Sequence, residues 1–394
     1  MTARNFMVGY PALIAVIVVV DAFATSLFVG SIGFLIGDSP ALDASTAMRV
    51  VGISALAGVF ASVLLARLAD RVSIVKTLRL IQALQVLGYV YLGFAHGLLG
   101  VGDFSVPGSS LPIALIFFLG RLVSPLRGAL PPALMAKDEL LGFKSKLRTA
   151  TLSAVFLGAL AVGVLVALPV NVSIALAVVG VAAYGMCSVF TVALPSTAGV
   201  PASGAVRTYD SVRSSGCSAL PFFNVLSRRE WGRWWLLLTT FGVVGIGPAM
   251  VPYVVSDAGA WAAWLLAFSS IAGIAVNASS GSLVRRYQFS LSGLPGRIVL
   301  VLATFLGMAN VMLVGVAMQH TGDTLVFVAV MMLCLVANQI AFTASTVVAW
   351  GSQYDAGRDE NRTEIVALFS MTGAVGGAAA QIAGGEAFAA VGQE

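Results

Sequence analysis

The sequence predicts an all-α integral membrane protein whose plan is two parallel six-helix bundles, with about 11 transmembrane helices in this chain. The first observation is composition, because 59% of the 394 residues are hydrophobic, 10% are charged and the mean hydropathy is +0.96. That leaves too little polar surface for a water-soluble globule of this size. Apolar runs of about 20 residues also recur along the whole chain. The expected solvent of the protein is therefore the lipid bilayer.

A further observation is that two turns resemble each other, namely 66–72 (ARLADRV) and 281–287 (GSLVRRY). Each turn follows a long apolar run and precedes another, and six apolar runs separate the two turns. An even number of crossings returns both turns to one side of the membrane. The sequence therefore predicts two halves repeated in parallel, related by an axis along the membrane normal.

The apolar runs predict spans at 9–36, 48–69, 77–101, 110–136, 149–170, 172–194, 233–256, 260–282, 296–319, 324–350 and 364–389. Six of them form an amino-terminal six-helix bundle over residues 1–194. The other five are predicted to form a carboxy-terminal bundle over residues 233–394, for which the twelfth helix of the plan is expected to be either truncated from this chain or lost. The segment 195–232 is rich in Ser, Gly and Arg and too polar to cross a membrane, so we predict a cytoplasmic linker.

Basic residues predict the orientation, because Lys and Arg are retained on the cytoplasmic side of a membrane. They occur in the linker and in the turns after the second, fourth, eighth and tenth spans, whereas the alternate turns contain none. The amino terminus is therefore predicted to lie in the cytoplasm, and the chain to cross the inner, cytoplasmic membrane many times. The net charge of +5 reflects these turns rather than a basic patch interleaved with aromatics, so no nucleic-acid partner is expected.

The turn after the second span resembles the signature of the major facilitator superfamily, Gly-X-Leu-Ala-Asp-Arg-X-Gly-Arg-Lys. The segment Leu68-Ala69-Asp70-Arg71 matches four consecutive positions of that signature. The sequence departs from it at four others, Ala66, Ser73, Ile74 and Val75. As an architecture, the resemblance covers nearly the whole chain. It implies a secondary transporter that works by alternating access without a cofactor.

In that family the conserved acid of this turn lies against the start of the eleventh helix, where the helix dipole favours a carboxylate. The resemblance thus implies that Asp70 latches the two halves together on the cytoplasmic side. The predicted cytoplasmic gate consists of Asp70, Arg71, Arg285 and Arg286. The alternative is a solvated turn that only fixes the topology.

Two charged residues fall in the apolar interior of predicted spans, Asp21 in the first and Arg121 in the fourth. An ionised side chain at that depth costs about 2.5–3.5 kcal/mol, so each must face a partner or a water-filled cavity. The family resemblance implies that both spans line the central cavity. Our hypothesis is that Asp21 changes its protonation state as Arg121 approaches and retreats, which couples transport to protons. The alternative is a permanent ion pair that only ties the two helices together.

Residues at helical spacing from these charges predict the wall of a substrate cavity. Thr25 and Phe28 lie on the face of the first-span acid, and Ser124 lies on the face of the fourth-span arginine. Asn338 and Gln339 stand at the matching depth of the tenth span. This mixture of apolar, hydroxyl and amide groups suits a small amphiphilic substrate. The alternative for each amide is a bond to a neighbouring helix only.

The function predicted from these residues is proton-coupled export of small amphiphilic molecules, with the proton gradient as the energy source. An importer of the same fold stays open as an alternative, because the fifth span lacks the proline of the family's efflux pattern, Gly-Pro-X-X-Gly-Gly. A non-transporting or lipid-handling accessory protein also stays open, because a missing twelfth helix and a degraded signature would suit it. The few acids and two histidines form no catalytic or metal cluster, so no enzymatic activity is expected. The expected partners are the bilayer, a small-molecule substrate and protons, and the chain is expected to act as a monomer.

Overall fold

The computed structural model describes residues 9–37, 44–98, 106–134, 137–168, 171–195, 228–254, 293–320, 322–356 and 362–391, with isolated residues between 261 and 275. These ranges are almost entirely helical and contain no strand. A short π-helical segment, Gly93–Leu98, continues the third helix. The described helices are α1 (Gly9–Gly37), α2 (Ala44–Val72), α3 (Ile74–Leu92), α4 (Val106–Leu134), α5 (Lys137–Ala167), α6 (Val172–Val192), α7 (Arg228–Val254), α8 (Leu294–Gln319), α9 (Thr324–Ala356) and α10 (Arg362–Val391).

These helices confirm the predicted all-α fold class. α1 to α7 correspond to the first seven predicted spans, and α8, α9 and α10 correspond to the ninth, tenth and eleventh. Among the described residues, seven helices contain a stretch long and apolar enough to cross a membrane. α5 departs most from its prediction, because the helix continues through the polar residues 137–148 that precede the apolar run. Most of the eighth span and most of the linker lie outside the described residues.

The turn predicted after the second span is shorter than expected. α2 runs to Val72 and α3 begins at Ile74, so Ser73 alone separates the two helices. The carbonyl oxygen of Ser73 accepts from the N–H of Thr77 at 3.1 Å and from its hydroxyl at 2.9 Å. These two bonds fix the start of α3 without a longer loop.

Side-chain caps fix two other helix starts at the predicted breaks. The side chain of Asn171 accepts from the N–H of Ile174 at 3.1 Å, which caps α6. The carboxylate of Asp323 accepts from the N–H groups of Leu325 and Val326 at 3.2 and 3.3 Å, which caps α9. The boundaries of these helices therefore follow from local sequence.

The same helix pairs occur in both halves of the described structure. α1 packs on α5 and α3 on α4, and at the equivalent places α7 packs on α10 and α8 on α9. Glycines allow the close approaches. A Cβ added at Gly158 would lie 2.8 Å from the carbonyl oxygen of Phe23, and one added at Gly245 would lie 2.9 Å from the Cβ of Ala380. These repeated pairs agree with the parallel duplication predicted from the two turns.

Among the described helices, the contact of α7 with α8 has no direct equivalent in the first half. α7 packs directly on α8, whereas α6 packs on both of the corresponding helices, α1 and α3. At the α7–α8 contact the hydroxyl of Thr304 donates to that of Thr240 at 3.2 Å. A Cβ added at Gly307 would lie 2.9 Å from the Cα of Val244. The two backbones are therefore so close at this point that glycine is the residue that fits.

The main contact between the halves joins α2 to α10. A Cβ added at Gly52 would lie 2.6 Å from a side-chain carbon of Ile382. Arg49 and Glu386 form an ion pair at 2.9 Å, with side chains that are 41% and 63% exposed. We call this contact, formed by residues 48–52 and 382–386, the α2–α10 closure. It joins the two halves at the end of the bundle where α2 begins and α10 ends.

Gly307→Ala is expected to destabilise the protein by about 1–3 kcal/mol, because the added methyl group meets the backbone of α7. Gly315→Ala on the same helix is the matched control, since a Cβ there has nothing within 4 Å. Alanine also favours a helix over glycine, so this control should keep or raise the unfolding temperature. Thermal unfolding in detergent measures both variants. Equal midpoints of thermal unfolding for Gly307→Ala and Gly315→Ala would contradict the close α7–α8 contact.

Candidate functional site

A cavity of about 460 Å³ lies among α1, α3, α4, α5 and α6. Most of its wall is apolar, and its volume and lining are typical of a small-molecule site. Its charged, hydroxyl-bearing and aromatic residues are Asp21, Arg121, Arg127, Thr25, Ser26, Ser124, Thr151, Phe28, Tyr89, Phe117 and Tyr184. The first-half residues selected from the sequence, Asp21, Thr25, Phe28, Arg121 and Ser124, therefore all lie on this one wall.

The acid on this wall pairs with a different arginine from the one expected. Nη1 of Arg127 in α4 donates to the Oδ2 atom of Asp21 in α1. The two side chains are 18% and 6% exposed, so the ion pair is largely removed from water. The described partner of Asp21 is therefore Arg127, whereas Arg121 projects from α4 towards α10 of the other half, and the approach of Arg121 to Asp21 stays a prediction.

Arg127 is the site residue that sequence reasoning missed. It lies within the predicted span 110–136, so the rule that an intramembrane charge needs a partner applied to it as much as to Arg121. Arg127 lies four residues from the middle of that span and Arg121 lies two residues from it, so their depths differ little. Depth along the span alone did not identify the partner of Asp21.

Arg121 lies at the boundary between the two halves. One of its terminal nitrogens, Nη2, is 3.8 Å from where a Cβ would lie on Gly377 of α10. On the other side, a Cβ added at Gly58 of α2 would lie 2.8 Å from the Cβ of Arg121. The side chain is half-buried and lines the cavity. Its charge is therefore presented where α4 of one half meets α10 of the other.

Aromatic rings form a continuous part of the wall. Phe28 contacts Tyr89 edge-on, with 5.7 Å between ring centroids, and lies 5.6 Å from Phe117. Tyr89 in turn stacks on Tyr184 with centroids 5.5 Å apart. The ring of Tyr89 lies directly against the backbone of Gly180, where any side chain would overlap it. These rings pack chiefly on one another, since Phe28, Tyr89 and Tyr184 are at most 2% exposed, and Phe117 of α4 is the half-buried ring on the wall.

Hydroxyl groups supply neutral polar contacts beside these rings. Thr25 is exposed to the cavity, and its Oγ1 atom lies 3.5 Å from the phenol oxygen of Tyr184. Ser124 is also exposed and lies one helical turn from Arg121. Ser26 instead donates to the carbonyl oxygen of Val155 at 2.9 Å, which ties α1 to α5. Thr25 and Ser124 are therefore the hydroxyls placed to meet a bound molecule.

The two amides selected in the tenth span do not line the described cavity. Asn338 of α9 is buried, and its backbone N–H donates at 3.0 Å to the side-chain oxygen of Asn310 in α8. The amide nitrogen of Asn310 donates at 3.2 Å to the carbonyl oxygen of Cys334, in the amide orientation that satisfies both of its groups. At this depth an amide therefore ties α8 to α9, and it is Asn310, which the sequence did not single out.

The predicted cytoplasmic gate falls outside what the structure describes. α2 continues as a helix through Asp70 and Arg71, whose side chains are outside the described part. Arg285 and Arg286 lie outside the described residues altogether. The latch that the family resemblance implies stays a prediction.

Arg127→Gln is expected to destabilise the protein by about 3–5 kcal/mol, because it leaves the buried Asp21 carboxylate without a counter-charge. Arg121→Gln on the same helix is the matched control and should cost less, since it breaks no described ion pair. Combining Asp21→Asn with Arg127→Gln should restore much of the lost stability. A double-mutant cycle on thermal unfolding in detergent measures this coupling. Additive effects of the two single changes would contradict the pairing.

No protein-family model matches the sequence, and no curated protein sequence matches it significantly. Solved structures do match it. The chain is similar to the nucleoside transporter NupG, with 12% identity over 96% of this chain and 90% of that chain, and a TM-score of 0.63. It is similar to the xylose transporter XylE from E. coli in a partially occluded inward-open conformation, with 12% identity, coverage of 98% and 96%, and a TM-score of 0.65.

A third similar structure is a POT family transporter in complex with 5-aminolevulinic acid, with 12% identity over 97% of this chain and 93% of that chain, and a TM-score of 0.69. In each case the match extends over nearly the full length of both chains. These proteins are transporters of the major facilitator fold. The likeness, together with the helix pairs described above, establishes that this chain has the major facilitator fold.

Proposed function

We propose that this protein is a secondary active transporter that moves small amphiphilic molecules across the cytoplasmic membrane by alternating access and exports them in exchange for protons. Its fold supports transport, because the similar structures are those of nucleoside, xylose and peptide transporters. The observation that carries the proposal is the ion pair of Asp21 and Arg127 on the wall of a mostly apolar cavity. Burying two charges costs free energy that a purely structural contact between helices avoids.

The ion pair provides a link between a proton and the shape of the cavity. A proton that binds the Asp21 carboxylate removes the negative charge that the Arg127 guanidinium contacts. When the proton is bound, the electrostatic contact between α1 and α4 is lost. Because both helices form the cavity wall, the protonated and paired states present different surfaces to a substrate. A substrate that binds the paired state better then competes with the proton, as exchange requires.

The energy of such an exchange is sufficient for export. One proton that crosses a potential of 100 mV supplies about 2.3 kcal/mol. Each tenfold substrate gradient requires about 1.4 kcal/mol. One proton per substrate therefore sustains a gradient of some tens of fold.

The α2–α10 closure supports a cycle between two states. In the predicted orientation, the end where α2 begins and α10 ends faces away from the cytoplasm, so we infer that this state is closed on the outside. The closure contains one exposed ion pair, Arg49 with Glu386, and such a pair is worth about 0.2–1 kcal/mol. A contact of that strength can form and break in every cycle.

Asp21→Asn is expected to abolish proton movement coupled to substrate but to leave exchange of substrate for substrate in place, because asparagine does not titrate. Proteoliposomes that enclose a pH-sensitive dye, with a panel of amphiphilic compounds under an imposed pH gradient, measure both activities. Asp323→Asn is the matched control, since Asp323 lies outside the cavity wall and caps α9, and asparagine also caps helices well.

Three results would overturn parts of this proposal. Coupled proton movement that persists in Asp21→Asn would remove the coupling role of the pair. Failure of the unmodified protein to move any compound would favour a lipid-handling or non-transporting accessory protein. Accumulation of the compounds in cells, rather than their expulsion, would identify an importer of the same fold.

Arg49→Gln is expected to expose the cavity to the outside more often, by up to about fivefold, because it removes the ion pair of the closure. A cysteine placed at Thr25 in a background without the native cysteines reports this change through its labelling rate by a membrane-impermeant thiol reagent. Glu386→Gln should have the same effect, and the two changes together should add nothing further. An unaltered labelling rate in all three variants would show that the pair does not hold the closure.

A further inference from the structure

The charges of the cavity do not balance. Two guanidinium groups, Arg121 and Arg127, and one carboxylate, Asp21, lie on its wall. Arg127 already pairs with Asp21. No ion pair of Arg121 occurs among the described residues. One positive charge of the cavity is therefore uncompensated by the described protein.

The sequence offers no other acid at this depth. Within the eleven predicted spans the acidic residues are Asp21, Glu364 and Glu386. Glu364 is the first residue of its span, and Glu386 is near the end of the same span, where it pairs with Arg49. A charge in the membrane interior requires a partner or a hydrated cavity. For Arg121 the partner that the chain does not provide can come from a bound molecule.

We propose that Arg121 binds the carboxylate of an amphiphilic monoanion, so that the substrates of this protein are organic carboxylates with an aromatic or alkyl body. This inference rests on the transport cavity of the proposed function and names its substrate class. A guanidinium group forms two parallel hydrogen bonds with a carboxylate, which suits a buried site better than a neutral contact does. A single free positive charge balances a single negative charge, which favours a monocarboxylate over a phosphate dianion.

The surroundings of Arg121 leave room for such a group. Its Nη2 atom lies 3.8 Å from where a Cβ would lie on Gly377 of α10, so no side chain of that residue covers the guanidinium. Ser124 lies one turn along α4 and is exposed, so its hydroxyl can donate to a carboxylate oxygen held by Arg121. The anionic head is thereby placed beside α4 in the cavity, near the junction of α4 with α10 that must rearrange during alternating access.

The aromatic wall of the cavity suits the apolar body of the proposed substrate. Phe117 is half-buried on the cavity wall and packs on Phe28, which packs on Tyr89, and the last two rings are at most 2% exposed. Such rings pack well on an aromatic or alkyl body. The volume of about 460 Å³ lies within the usual range of roughly 300–1,000 Å³ for small-molecule sites. An apolar body with one carboxylate therefore matches both the shape and the charge of the cavity.

The test compares two probes that differ only in charge, 1-naphthylacetate and its neutral amide, together with decanoate as an alkyl carboxylate. Binding to the purified protein in detergent is measured by calorimetry. The unmodified protein should bind the carboxylates at least about tenfold more tightly than the amide, the effect of one hydrogen-bonded charge. Arg121→Gln should lose that preference, by about ten- to a hundredfold for the carboxylates, and leave binding of the amide unchanged. Arg121→Lys should retain part of the preference for carboxylates, because the positive charge remains.

Controls separate this inference from folding and from transport. Thermal unfolding of Arg121→Gln shows whether the variant is intact, and Arg121→Lys gives a second reading in which the charge remains. Equal affinity of the unmodified protein for acid and amide, or no binding of either carboxylate, would overturn the inference. If other amphiphiles still cross proteoliposomes, the proposed transport stands without it. Conversely, the protein could bind carboxylates through Arg121 and yet transport no compound in proteoliposomes. That result would support the binding site and contradict the proposed transport function.

Discussion

A carboxylate in the middle of a membrane helix needs a positive partner, and this constraint organises the amino-terminal half. Asp21 is met by Arg127 from α4, and the demand for that contact fixes how α1 and α4 face each other. The same helices bring Arg121, the hydroxyls and the aromatic rings to one wall. The cavity therefore follows from the pairing of one buried charge. Arg121, the second arginine of its wall, takes no part in that pair.

Helix association in a bilayer cannot depend on hiding apolar surface from water, because lipid is as apolar as leucine. This chain relies on close backbone approach at glycines instead. Gly158 brings α5 onto α1, Gly307 brings α8 onto α7, and Gly52 brings α2 onto α10. Hydrogen bonds between side chains, such as that of Thr304 with Thr240, add specificity to these contacts. The interfaces within each half and between the halves are thus built from the same elements.

Hydropathy alone predicted the helices well, because a span must be long and apolar whatever its neighbours are. It failed where the answer depended on which face of a helix meets which partner. Arg121 and Arg127 are both inside the fourth span, and only the packing of α4 distinguishes the arginine that meets Asp21 from the one that faces α10. Likewise Asn310, rather than Asn338, supplies the side-chain amide that joins α8 to α9. Tyr89 and Tyr184 carried no signal in the sequence beyond their lying in apolar runs.

The seating of Tyr89 on Gly180 has a consequence for selectivity. A ring lodged against bare backbone has no free rotamer to turn into, and its stacking on Tyr184 restrains the neighbouring ring as well. The α3–α6 side of the cavity is thus a stiff template, while α1 and α4 on the other side carry the ion pair of Asp21 and Arg127. Discrimination by substrate size would then depend on the stiff α3–α6 side and stay the same in both states of the transport cycle. A substrate too large for the cavity in one state would therefore not fit in the other state either.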